Sequence, residues 1–115
     1  MTLREARINF SLCLAKLILH ADTLGYEVAL DEVTERITEK DPTSDHMKNS
    51  LHHLGLAGDL NLYKDGQYLS KTEDHQILGE YWEQMGKDLG LPLCWGGRFA
   101  KPDGNHYALE WLGRR

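Results

Sequence analysis

The sequence predicts an α+β fold: one small domain over residues 1–115, with an antiparallel sheet flanked by helices. Three observations predict it. Two stretches carry apolar residues at helical spacing, and each opens on a capping pattern. Shorter stretches alternate apolar and polar residues, one of them ending in turn chemistry. A chain of 115 residues is long enough to bury one core and too short for two.

Thr2 and Glu5 form a capping box, and Ala6, Phe10, Cys13, Leu14, Leu17, Ile18, Ala21 and Leu24 then recur at helical spacing until Gly25. The first helix is therefore expected from about residue 3 to about residue 24. Tyr26 to Leu30 alternates like a short strand. Asp31 to roughly Ile37 is compatible with a turn of helix, and the polar stretch from Thr38 to Asn49, with Pro42 inside it, is expected as a loop over the site. Leu56, Gly58, Leu60 and Leu62 share one face of a strand, opposite Ala57, Asp59 and Asn61. Lys64-Asp65-Gly66 then supplies a hairpin into Gln67-Tyr68-Leu69. Ser70 and Glu73 suggest a second capping box, ahead of a helix marked by Ile77, Leu78, Tyr81, Trp82, Met85 and Leu89 and stopped by Gly90 and Pro92. A last strand is expected from about Asn105 to Trp111, with Tyr107, Leu109 and Trp111 opposite His106, Ala108 and Glu110. Trp82 and Trp111 fall on apolar stripes and are expected in the core.

Thirteen Lys and Arg against 18 Asp and Glu leave a net charge of −5, which argues against nucleic acid or an anionic lipid surface as partner. The charged N-terminus lacks the apolar core of a signal peptide, and no stretch reaches the roughly 18 apolar residues of a membrane span. The expectation is a monomer kept in the cytosol. Cys13 and Cys94 fit neither a metal motif nor a disulfide framework and read as reduced, packed thiols.

Six histidines invite a metal reading, which only their placement can support. His20 in mid-helix, His75 in the first turn of the second helix and His46 in the polar loop read as surface or edge residues. His52, Asp59 and His106 differ, because each lies on or beside a strand whose other face is apolar, with small Ala57 and Ala108 nearby. An unbroken strand would send His52 and Asp59 to opposite faces, but a turn at Gly55 reunites them. Two imidazoles and a carboxylate suit zinc and leave its fourth tetrahedral position open, as in catalytic sites. Asp103, three residues before His106, is placed to act as a base. The plain alternative is a pair of hydrogen-bonded sheet histidines.

The run Ser50-Leu51-His52-His53-Leu54-Gly55-Leu56-Ala57-Gly58-Asp59 resembles the S-x-H-x-x-G-x-A-x-D signature of the peptidase M15 group. These are zinc D,D-carboxypeptidases and L-alanyl-D-glutamate endopeptidases that cut bacterial cell-wall peptides. Trp95-Gly96-Gly97-Arg98-Phe99 and Asp103-Gly104-Asn105-His106-Tyr107 are similar to the W-G-G and D-x-x-H-F segments of short phage-encoded members. The resemblance implies a hedgehog/DD-peptidase-like fold, one zinc on His52, Asp59 and His106, and Asp103 as general base. Ser50 would help to orient substrate or the His52 region, Arg36 is a substitute for the family's substrate-holding arginine, and Trp95 could pack on the site or contact substrate through its indole N–H. For these three the plain readings are a polar turn cap, a surface charge and a core aromatic. Arg36 sits in a segment that departs from the family's arginine pattern, and Arg98 is the other candidate to hold a substrate carboxylate. His53, beside a ligand, is expected to point away from the metal, and Cys94 is not expected to ligate because a fourth protein ligand would close the site. The implied activity is hydrolysis of peptidoglycan stem peptides by a phage or prophage lysin, made in the host cytosol and reaching the wall by release or a separate export route. The alternatives are a non-catalytic, zinc-stabilised binding module and a virion-associated wall hydrolase used when a phage enters its host.

Overall fold

The structure, a computed structural model, describes residues 1–31 and 51–115. The expected helical turn after Asp31, the polar loop with His46, and the candidates Arg36 and Ser50 lie outside the described residues. Helix α1 (Leu3–Thr23) starts on the expected capping box: Glu5 N–H donates to the Thr2 hydroxyl, and Thr2 N–H to the Glu5 carboxylate. Strand β1 (Glu27–Leu30) follows. The strands β2 (Ala57–Lys64) and β3 (Gln67–Leu69) form the hairpin, closed by Asp65 and Gly66 at φ +53° and +78°. Positive φ at both central residues is a type I′ turn, whose twist matches the strands it joins.

Helix α2 (Gln76–Leu89) is preceded by a 3-10 turn (Thr72–His75) and ends at Gly90 in the left-handed region. Its entrance corrects the Ser70–Glu73 expectation. Asp74, not Glu73, turns its carboxylate back, and it accepts from Lys71 N–H at 3.0 Å. A short strand β4 (Leu93–Trp95) and a second 3-10 turn (Gly96–Arg98) lead to β5 (His106–Leu109), two residues shorter than expected at its C-terminal end. Trp111 instead forms an isolated bridge with Arg114 and packs partly buried against the core.

The sheet is antiparallel, in the order β1-β2-β5-β4, with β3 also pairing with β2. One face carries Leu60, Leu62, Tyr107, Leu109 and Trp95, which meet Ala6, Phe10, Cys13, Leu17 and Ala21 of α1 and Leu78, Trp82 and Met85 of α2 in a single buried cluster. Trp82 fastens the layers together. Its indole N–H is shared between the carbonyls of Cys94 on β4 and Ala108 on β5. The register sets Asp59 opposite His106 and Ala57 opposite Ala108. Both pairs therefore stand on the face away from the helices. Among the described residues no helix is long and apolar enough to cross a membrane, and both cysteines are free thiols.

Candidate metal centre

Asp59 and His106 meet because they are cross-strand partners on the face that the helices leave uncovered. His52 arrives from the turn 51–55, which precedes β2. Leu56 N–H donates to the Leu51 carbonyl and Gly55 N–H to the His52 carbonyl, with Gly55 at φ +74°. A residue with a Cβ would be strained there, so the expectation of a turn at Gly55 is met for the expected reason. Arg7 of α1 locks this turn from outside, its Nε donating to the Leu54 carbonyl at 2.7 Å.

The Asp59 carboxylate atom Oδ1 lies 3.3 Å from His106 Nδ1 and 3.6 Å from His52 Nε2. Among the described residues these three form a group able to hold a metal ion, each offering an atom within 4.8 Å of the others. The two distances from Asp59 are close to those of zinc ligands: bonds of about 2.0–2.1 Å at tetrahedral angles put ligand atoms about 3.3–3.4 Å apart. All three side chains are nearly buried, at 8–12% exposure. Two imidazoles and a carboxylate at that depth are costly unless something gathers them. His106 Nε2 is buried and has no hydrogen-bond partner among the described residues. Nδ1 is the ring atom turned to Asp59, so Nε2 would be the one left outside the coordination of a metal held there.

Asp103 stands at the rim of this group. Partial burial and the nearby Asp59 carboxylate push its pKa up, with His106 opposing them. Its backbone is tied to the centre, since His106 N–H donates to the Asp103 carbonyl and Asp103 N–H to the Gly96 carbonyl.

The remaining candidates scatter. Trp95 is a correction, being 1% exposed with its indole N–H given to the Gly104 carbonyl, so it offers neither surface nor donor to a substrate. Arg98 is engaged by Glu83 through two hydrogen bonds of 3.0 Å and stacks over Trp95. Of the two alternatives for a substrate carboxylate, Arg98 is thus already occupied. His53 is exposed. His20 stacks on Tyr81 at the edge of the helices. His75, expected at the surface, is instead 2% exposed and hydrogen-bonded to the Tyr107 hydroxyl at 2.8 Å. Burial pushes its pKa down, and Asp74 only partly offsets this. Cys94 sits opposite Ala108, outside the metal group, and burial chiefly raises its pKa to about 11. Arg7 and Thr72, whose hydroxyl accepts from Gly104 N–H, were invisible in the sequence because their partners lie far along the chain.

Comparison with known proteins bears on the family and the fold. A family model within the peptidase M15 group, described as D-alanyl-D-alanine carboxypeptidase, matches residues 43–109, more than half of the chain. Among solved structures, the Serratia marcescens L-Ala D-Glu endopeptidase ChiX is similar, with a TM-score of 0.56 at 19% sequence identity. The match covers 72% of this chain and 66% of that one, so the chain spans just under two thirds of that protein. The likeness is one of fold. No curated protein matches the chain significantly.

Proposed function

Since the chain belongs to the peptidase M15 group, we propose that it hydrolyses peptide bonds of peptidoglycan stem peptides, using one zinc ion per chain held by His52, Asp59 and His106. The carrying observation is the convergence of these three side chains, from a turn and two strands, within 4.8 Å of one another. Members of this group are typically zinc enzymes, and the donor set fits that ion. A zinc ion there would supply Lewis-acid polarisation of the scissile carbonyl.

The protein's own residues supply the rest. His52, Asp59 and His106 would hold the metal over the two inner strands β2 and β5, while Asp103 takes the proton of the attacking water and passes it to the leaving amine. We assign Arg36 and Ser50 to substrate binding; Arg36→Ala should raise KM, with Lys restoring it only partly because a two-pronged contact is lost. The resemblance of the segments around Trp95 and His106 to phage-encoded members favours a lysin. A base at Asp103 favours an enzyme over a zinc-stabilised binding module.

Digesting purified peptidoglycan and identifying the new ends by mass spectrometry tests the reading. Cleavage of L-Ala-D-Glu bonds would expose new amino groups on D-Glu, and D-Ala-D-Ala cleavage would release free D-Ala. Zinc-loaded protein that leaves walls of several bacteria unchanged would replace the enzyme with the binding module.

A further inference from the structure

Asp103 reaches the metal centre from the irregular segment 99–105, between a 3-10 turn and β5. A carboxylate on such a segment keeps its register only if neighbouring groups hold the backbone around it. The anchor beneath is Trp95. Its Nε1–H donates to the carbonyl of Gly104, the residue after Asp103, at 2.7 Å. The ring is itself clamped, since a Cβ at Gly79 would come within 2.1 Å of it and one at Gly97 within 2.3 Å. On the other side of Asp103, its own N–H reaches the carbonyl of Gly96, the residue following Trp95, at 2.9 Å. A Cβ at Gly96 would meet the Asp103 carbonyl at 2.1 Å, so these two backbones are in the closest contact that a glycine allows. Trp82 offers a contrast: it is equally buried, but its N–H goes to carbonyls on β4 and β5, away from the Asp103 segment.

We propose that Trp95 is a positioning residue for Asp103, its indole N–H holding the Gly104 carbonyl so that the Asp103 carboxylate stays against the metal centre. This rests on the reading of Asp103 as the base. The bulk of the ring serves the core, whereas its N–H serves the site.

Trp95→Phe separates the two, keeping an aromatic ring between Gly79 and Gly97 and deleting the donor. Zinc content should stay at one per chain and KM within about twofold, while kcat for stem-peptide hydrolysis falls about tenfold or more, as misplacement of a reacting group demands. In an Asp103→Asn background the same substitution should cost nothing further, because groups that act as one unit are not additive. Equal losses in both backgrounds, or loss of zinc, would reduce Trp95 to a structural residue and overturn the proposal. If the Phe variant does not fold, the sulfur isostere of tryptophan incorporated at position 95 keeps the bicyclic shape without the N–H, and full kcat there would overturn it as well. An Asp103→Asn protein as active as the parent would instead overturn the base assignment, a failure visible before any change at Trp95.

Discussion

Asp103 precedes His106 by three residues, and its carboxyl lies near Asp59 and His106 without belonging to the group they form with His52. Asp103→Asn should accordingly keep zinc content and Tm nearly unchanged while stem-peptide hydrolysis falls on the order of 100-fold or more, the scale of a missing general base. Elemental analysis, a melting curve and a peptide assay check all three. That His52, Asp59 and His106 converge on one side was legible in the sequence, because strand alternation and one glycine suffice to work it out. Trp95 and His75 were not, since a Trp beside a glycine pair and a His at a helix start look the same whether a distant partner or water meets their ring nitrogen. Gly104 and Tyr107 take those roles here.

The same limit recurs for whole elements. Both helices and the β2-β3 hairpin follow from periodicity, caps and turn residues, but β4 is three residues long and too short to show alternation. The turn that delivers His52 depends on α1, through the Arg7 side chain on the Leu54 carbonyl, a contact 47 residues apart in sequence. Arg7→Met keeps much of the stem and removes the donor. Zinc affinity should fall about 10- to 100-fold, as when outer partners of a metal site are lost, with the helix intact. Competition with a chromogenic chelator measures it, and unchanged affinity would make the Arg7 contact incidental. The two faces of α1 differ in energetic weight. Leu17 is fully buried and Leu12 is 57% exposed, so Leu17→Ala should cost about 2–5 kcal/mol and Leu12→Glu no more than about 0.5 kcal/mol by denaturant unfolding.

At the scale of the whole molecule, a sheet covered on one face by two helices leaves the other face to carry chemistry, and β5 is buried along its whole length between β2 and β4. The buried His75–Tyr107 pair joins the start of α2 to β5 and makes stability depend on pH. His75 has its pKa lowered in the folded state, so the unfolded chain binds more protons below the ordinary value of about 6.5. Its contribution is therefore complete above that pH and is lost as the pH falls through the folded pKa. Denaturant midpoints of His75→Gln should fall less steeply than those of the parent on acidification below about 6.5, both proteins being compared in the same metal state. Identical slopes would remove His75 as the source. In the function proposed above, hydrolysis depends on one zinc ion held by the His52, Asp59 and His106 group. Zinc titrated into chelator-stripped protein, with stem-peptide cleavage followed at each addition, tests this dependence. Activity should rise from near zero and level off at about one zinc per chain, the stoichiometry of a single three-ligand site; full cleavage by the stripped protein, or none after zinc is bound, would contradict it.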